Sequence, residues 1–177
     1  MDIRKATISD LDAVARIYDA QHTAEEAGKS TVGWIRGVYP TRATAQAALD
    51  RDDLFVLCED GLVRGTAIIN QIQVDVYAGA PWRYSAPDER VCVLHTLVIH
   101  PAAKGRGLGR AFVAFYENFA RTMNCPELRM DTNARNSIAR AFYKGLGYRE
   151  IAVVPTTFNG IPGIDLVLLE KNLEAMG

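Results

Sequence analysis

A glycine-rich segment in the second half of the chain has residue types that could bind a phosphate group. Glycine lets the backbone approach phosphate oxygens without obstruction by a Cβ atom. The segment precedes a run with helical periodicity, and the free N–H groups at the start of a helix attract anions. We therefore expect an anion site here. The segment consists of Lys104, Gly105, Arg106, Gly107, Leu108, Gly109 and Arg110.

Three cations at the start of a helix oppose the helix dipole, so helix stability alone does not explain them. A bound anion would resolve this conflict. Two better-known phosphate motifs do not fit, because Gly109 is followed by Arg110-Ala111 instead of Lys-Ser/Thr, and because the glycine spacing differs from G-x-G-x-x-G. The alternative is a glycine-rich turn with solvated charges.

The elements that position this segment follow from the hydrophobic pattern. Val91–Ile99 is almost entirely apolar, which is typical of a strand buried on both faces, and Pro101 ends it. Apolar side chains recur at helical spacing over Leu108–Met123. Asn136 is a suitable cap for a further helix, which Gly147 would end.

Short strands alternate with helices along the rest of the chain. The pattern predicts an α/β or α+β fold with one mixed sheet, and it leaves the strand order open. Asp60-Gly61 and Asn159-Gly160 are suitable hairpin turns, and Ser9 with Asp12 predicts a capping box at the first helix. The remaining elements are expected at Ile3–Thr7, Ala43–Leu49, Leu54–Cys58, Thr66–Val74, Glu127–Asp131, Tyr148–Val154 and Ile164–Glu170.

Length and composition fit one domain over residues 1–177. The net charge of -1 disfavours a nucleic-acid partner, because such proteins usually carry a basic excess. No apolar run is long enough to span a bilayer, and the N-terminus lacks the apolar core of a signal peptide. Cys58, Cys92 and Cys125 are too scattered for a disulfide framework or a zinc site. We expect a cytoplasmic protein without a bound metal.

Lys104–Gly109 resembles the coenzyme-binding motif Q/R-x-x-G-x-G/A of the GNAT superfamily of acyl-CoA N-acyltransferases, with Lys at the first position. Asn136–Tyr148 resembles the family's N-x-x-A-x-x-x-Y-x-x-x-G-F/Y block. Both motifs occur in the family's order, and the similarity covers Leu54 to Glu170. It implies a mixed, mostly antiparallel central sheet of about six or seven strands flanked by helices. It also implies an enzyme that transfers an acetyl group from acetyl-CoA to a primary amine.

The resemblance assigns further residues to the coenzyme. In the family, the main chain at Leu97, Val98 and Ile99 would hydrogen-bond the pantetheine arm as an added strand does. Asn136 would contact the same arm, although a helix N-cap explains this residue without a ligand. A backbone N–H of Leu97 or Val98 would donate to the oxyanion. Tyr143 would face the thioester sulfur.

Amide formation needs a neutral amine, donors for the oxyanion and a proton for the departing thiolate. Tyr143 is the candidate acid, because a phenol with a pKa of about 10 matches a thiolate better than a carboxylic acid does. The alternative is that Tyr143 only packs beside Phe142 and Leu146.

His95 is one candidate for the base that deprotonates the amine. It interrupts the apolar run, and strand alternation predicts that it shares a face with Val93, Leu97 and Ile99. In some relatives a His at the matching position serves this role, and its ordinary pKa near 6.5 is suitable. The alternative is a buried His bonded to backbone.

Asp131, at the end of the next strand, is the other candidate base, because some relatives place a Glu at this position. The alternative is a strand-end carboxylate that caps the turn over Thr132–Arg135. The sequence leaves both candidates open.

The acceptor would be a small-molecule amine, a peptide, or absent in a non-catalytic acyl-CoA-binding module. The segment Val74–Arg90 could cover an open peptide groove, which favours a small acceptor, and retention of Tyr143 favours an enzyme. Aromatic side chains with acidic neighbours would suit a cationic amine. Exposed sheet edges leave a homodimer open. The acceptor-side candidates are His22, Glu25, Glu26, Trp34, Arg36, Tyr39, Tyr77, Trp82 and Tyr84.

Overall fold

A computed structural model describes residues 1–174 of the chain. In this range no helix is both long enough and apolar enough to cross a membrane. The elements are β1 (Asp2–Lys5), α1 (Leu11–Glu26), α2 (Arg42–Asp50), β2 (Leu54–Glu59), β3 (Leu62–Asn70), β4 (Val91–Ile99), α3 (Leu108–Thr122), β5 (Glu127–Asn133), α4 (Ser137–Gly145), β6 (Arg149–Phe158) and β7 (Ile161–Asn172).

The seven strands form one sheet in the order β1-β2-β3-β4-β5-β7-β6. Every neighbouring pair is antiparallel except β4 and β5, which run parallel. Helix α3 lies between these two strands in the chain, as a parallel crossover requires. The mixed, mostly antiparallel sheet flanked by helices confirms the predicted fold class.

Helices cover both faces of the sheet. Phe112 of α3 packs in one hydrophobic cluster with Leu57 and Leu94. Leu11 of α1 packs in a second cluster with Val56, whose side chain alternates with that of Leu57 along β2. The two clusters therefore lie on opposite faces.

Residues 71–90, here called the wall segment, cover the rest of the α1 face. Tyr77 is buried and packs in one hydrophobic cluster with Val91 of β4 and Leu168 of β7. The indole N–H of Trp82 donates to the carbonyl of Tyr77 at 2.9 Å. The wall segment is thus held by its own buried aromatic side chains.

A β-bulge interrupts the pairing of β3 with β4. Ile68 pairs with His95 and Thr66 pairs with Val98, so two residues of β4 stand opposite one residue of β3. Thr96, one of the two, has a φ of 53°, which is rare for a β-branched residue. The bulge reverses the alternation of β4 from this point on.

The predicted common face of His95 with Val93, Leu97 and Ile99 is therefore wrong. His95 and Val93 lie on the α1 face, whereas Leu97 and Ile99 pack with the α3 cluster. A bulge depends on pairing with a neighbouring strand, and an alternation rule that assumes a regular strand does not detect it.

Two other local predictions need correction. The first helical turn is capped by Thr7 and not by Ser9, because Asp10 accepts hydrogen bonds from the Thr7 N–H at 2.8 Å and from its hydroxyl at 3.0 Å. Strand β3 ends at Asn70 and not at Val74. The Asn70 side chain accepts the N–H of Ile72 at 2.9 Å, which turns the chain out of the sheet.

Both predicted hairpin turns are confirmed. Asp60 and Gly61 have φ values of 52° and 73°, and Asn159 and Gly160 have values of 51° and 77°. Two consecutive positive φ values are the signature of a type I′ turn, which matches the twist of the flanking strands.

The left-handed conformation of Thr96 generates a test of stability. Thr96→Gly should be more stable than Thr96→Ala by about 1 kcal/mol, because both lose the hydroxyl but only glycine adopts this φ without strain. Urea denaturation measures the difference. Thr132 lies on a regular strand, so there the order should reverse: Thr132→Gly should be less stable than Thr132→Ala by roughly 0.5 to 1 kcal/mol. The same order at both positions would contradict the assignment of strain to Thr96.

Candidate active site

Strands β4 and β5 separate in the middle of the sheet. Their last paired residues are Leu94 and Met130, although β4 continues to Ile99 and β5 to Asn133. Beyond Leu94, the edge of β4 that faces β5 has no ladder partner among residues 1–174. Two cavities open at this point, on opposite sides of the separated strands.

The first cavity, here called the turn groove, has a volume of about 760 Å³. Residues 28–32, the glycine-rich segment and the start of α4 line it. The second, here called the inner cavity, has a volume of about 150 Å³ and lies between the loop before α2, the wall segment and the hairpin of β6 and β7. The two cavities share Val32, Leu97, Asn136, Ala139 and Tyr143.

The glycine-rich segment presents free backbone N–H groups to the turn groove. The first α-helical hydrogen bond of α3 runs from the Ala111 N–H to the Gly107 carbonyl at 3.0 Å. The amides of Leu108, Gly109 and Arg110 precede it and therefore have no acceptor within the helix. Gly107 has a φ of 79°, and a Cβ atom there would meet no atom within 4 Å. This open, donor-rich turn fits a diphosphate.

The cations of the segment are placed differently from one another. The Lys104 ammonium donates to the Gln21 side chain at 3.3 Å, and burial lowers the pKa of Lys104. Arg106 forms an ion pair with Glu59 at 2.9 Å. Arg110 lines the groove and has no ion-pair partner within the described range. Arg110 is therefore the cation of the segment that is available to an anion.

The other predicted coenzyme contacts lie on the same groove, with one difference. The side chains of Leu97 and Ile99 line it, whereas that of Val98 is buried in the α1 cluster, so Val98 offers only its main chain. Asn136 lines both cavities and also caps α4, since its side-chain oxygen accepts the Ala139 N–H at 3.2 Å. The N-cap explanation is confirmed, and the amide nitrogen remains for other partners.

Tyr143 of α4 lies where the two cavities meet and is 9% exposed. Its ring packs against Tyr148 with a centroid distance of 5.8 Å. Burial and, secondly, the negative charge of Asp131 raise the pKa of Tyr143 above 10. The phenol is therefore protonated at neutral pH and able to donate.

Asp131 lines the inner cavity and accepts a hydrogen bond from the Tyr77 hydroxyl at 2.7 Å. Burial raises the pKa of Asp131 to about 6, and the Tyr77 bond partly offsets this rise. The alternative role as the cap of the following turn is wrong. The side chain of Asn133 has that role, because it accepts the Arg135 N–H at 3.0 Å.

His95 also lines the inner cavity, with its Nε2 atom 2.9 Å from the Asn70 side-chain oxygen. Asn70 donates its own NH₂ to Asp53 at 2.9 Å, so its oxygen is the acceptor and Nε2 of His95 carries the proton. Burial lowers the pKa of His95 to about 4. His95 is therefore neutral at pH 7, and burial acts on it in the opposite direction from Asp131, lowering its pKa instead of raising it.

The structure places only two of the nine predicted acceptor-side residues on the inner cavity. These are Trp34 and Tyr39, whose rings are perpendicular at 6.2 Å, and the Tyr39 hydroxyl contacts the Thr96 hydroxyl. The acidic neighbours are engaged elsewhere, because Glu25 accepts the N–H groups of residues 32 and 33, and Glu26 pairs with Arg36.

The sequence did not indicate that Tyr77 contacts Asp131, since the two residues are far apart in the chain. The nearest signal was the presence of three aromatic residues, Tyr77, Trp82 and Tyr84, in one loop. Among residues 1–174, no group of three His, Cys, Asp or Glu side chains is arranged to hold a metal ion.

Comparison with known proteins gives a consistent result. The sequence model of the acetyltransferase (GNAT) family matches residues 12–148. A search of curated proteins finds no match. A GNAT family acetyltransferase from Streptococcus agalactiae has a similar structure, with a TM-score of 0.80, 22% identity and coverage of 98% of this chain and 96% of that chain.

Two further solved structures have the same fold. The protein yncA of Salmonella typhimurium, solved with its cofactor acetyl-CoA, has a TM-score of 0.72 and 20% identity, and the match covers 100% of this chain and 96% of that chain. Ribosomal-protein-alanine N-acetyltransferase from Brucella melitensis has a TM-score of 0.71 and 22% identity, and the match covers 98% of this chain and 100% of that chain. At these identities the likeness shows the fold alone.

The Tyr77–Asp131 hydrogen bond generates a test of the electrostatics. Because this bond stabilises the carboxylate, Tyr77→Phe should raise the pKa of Asp131 further above 6. An NMR titration of the Asp131 carboxyl carbon measures the change. Tyr39→Phe is the matched control, since the Tyr39 hydroxyl contacts Thr96. An unchanged or lowered pKa in Tyr77→Phe would contradict the assigned role of the bond.

Proposed function

Because the chain belongs to the GNAT family of acetyltransferases and is therefore an acyl-CoA N-acetyltransferase that uses acetyl-CoA, we propose that it acetylates the primary amine of a small molecule. One observation carries this proposal. Asp131 and Tyr143, a base and an acid in suitable protonation states, line one cavity that meets the turn groove at Tyr143.

The turn groove would hold the coenzyme. The amides of residues 108–110, with the Arg110 side chain, suit the diphosphate, since a helix N-terminus and a free cation act on the same anion. The unpaired edge of β4 at Leu97–Ile99 suits the pantetheine arm, and the side-chain amide of Asn136 faces the same groove. Bound acetyl-CoA would supply an activated thioester carbonyl.

Different residues would carry out the separate proton transfers where the two cavities meet. Asp131 accepts a proton from the incoming ammonium, which frees the nitrogen lone pair for attack. A backbone N–H of Leu97 or Val98 donates to the carbonyl oxygen as negative charge develops there. Tyr143 donates its proton to the departing sulfur, and its phenolate regains a proton from the nitrogen, which loses its second proton as the amide forms. His95, held through its proton by Asn70, positions the cavity wall and does not titrate near neutral pH.

The wall segment supports a small acceptor over a peptide. Val74 lines the inner cavity, and the buried Tyr77 holds Asp131 from the same side. Trp82 of the same segment packs against β5, since the centre of its ring lies 4.2 Å from the guanidinium carbon of Arg129. An extended peptide would have to displace these buried contacts. A small amine would not.

The direct test is thiol release from acetyl-CoA with a panel of small primary amines and of peptides, together with calorimetry of CoA binding. We expect turnover on small amines. Turnover restricted to peptides would contradict the small acceptor, and tight CoA binding without turnover on either class would contradict catalysis.

Tyr143→Phe should lower kcat by at least about 100-fold, because it removes the proton donor for the thiolate but keeps the ring. The Kd for CoA should change little. Tyr148→Phe is the matched control, since its hydroxyl donates to Glu117 at 3.1 Å, outside both cavities. A kcat equal to that of the native protein would remove Tyr143 from the proposed role.

The pH dependence should report Asp131. The base must be ionised, so kcat/KM should rise with pH through about 6 and level off above it. Asp131→Asn should lose this rise and most activity, while His95→Gln should keep a rise near the same pH. A rise that persists in Asp131→Asn would assign the base elsewhere.

A further inference from the structure

Among residues 1–174, the side chains that line the inner cavity carry negative charge and no positive charge. Asp131 is the one charged side chain among the described residues that line it. The other lining groups are uncharged, and they include the rings of Trp34 and Phe158 and the aliphatic side chains of Ile164 and Leu166. Polar but uncharged side chains, among them Thr132, Asn133 and Asn159, complete the lining. A molecule in this cavity therefore meets one anion and, elsewhere, a neutral surface that is partly apolar and partly polar.

In the described part of the chain, none of the cations nearest in the sequence and fold lines the inner cavity. Arg129, two residues before Asp131 on β5, is 5% exposed, lies over the Trp82 ring and donates to the Tyr84 carbonyl at 3.3 Å. Arg51 is paired with Asp53 at 2.8 Å. Lys104 and Arg135 line the turn groove and not the inner cavity.

This distribution of charge discriminates between classes of amine. An α-amino acid carries a carboxylate two bonds from the nitrogen that must reach Asp131. That carboxylate would lose water without gaining a cationic partner, and it would lie close to a like charge. An amine with an apolar body has no such penalty, because its ammonium pairs with Asp131 and its body contacts the aromatic and aliphatic lining.

We propose that the acceptor is a primary amine with an aromatic or branched aliphatic body and without a carboxylate or phosphate group. This inference rests on the proposed function and specifies its substrate class. The body would lie against Phe158, Ile164 and Leu166 of the β6–β7 hairpin, and the amine would lie at Asp131.

The test compares matched pairs that differ only in the carboxylate. We expect kcat/KM for 2-phenylethylamine to exceed that for phenylalanine by at least about 100-fold, and the same order for 3-methylbutylamine and leucine. Equal use of the two members of a pair, or preference for the amino acid, would overturn the inference and leave the proposed function intact. Acetylation of no amine at all, with CoA bound, would instead overturn the proposed function.

A substitution that supplies the missing cation provides a second test. Ile164→Arg should shift the ratio of kcat/KM toward phenylalanine by at least about 10-fold, because its guanidinium can pair with the carboxylate. Ile164→Met, similar in size and uncharged, should leave the ratio near its native value. An unchanged ratio in Ile164→Arg would contradict the electrostatic basis of the selectivity. If that variant does not fold, the matched pairs on the native protein decide alone.

Discussion

The site depends on the separation of β4 from β5 in the middle of the sheet. Leu94 is the last residue of β4 that pairs with β5, and the bulge at Thr96 follows at once. The bulge turns Leu97 toward the turn groove while His95 stays on the opposite face. The two cavities meet where β4 and β5 have separated, at residues that include Leu97 and Tyr143. One unfavourable backbone conformation, that of Thr96, lies at this point, and the surrounding ladder maintains it.

Burial then sets the protonation states around the opening. The same loss of water raises the pKa of Asp131 and Tyr143 and lowers that of His95, because in each case it disfavours the charged form. The outcome is a carboxylate that can accept a proton near neutral pH, a phenol that keeps its proton, and an imidazole that stays neutral. The protonation states that the proposed mechanism requires of Asp131 and Tyr143 thus result from burial and, for Asp131, one hydrogen bond from Tyr77.

The parts of the site that depend on local sequence were predictable. The glycine-rich turn, the Asn136 cap and both hairpin turns follow from rules that act within a few residues. The family resemblance is confirmed by the match over residues 12–148. The bulge, the Tyr77–Asp131 bond and the neutral state of His95 depend on residues distant in the chain. Periodicity carries no information about such contacts, so the predicted face of His95 was wrong and the choice of base stayed open.

The wall segment also links two properties that enzymes often vary separately. Val74 lines the cavity proposed for the acceptor, and Tyr77, three residues later, lowers the pKa of Asp131 through its hydrogen bond. A change in this segment that makes room for a larger molecule would also move the Tyr77 hydroxyl away from Asp131. When related enzymes evolve to use a different acceptor, the pH range in which they are active should therefore change together with the substrate.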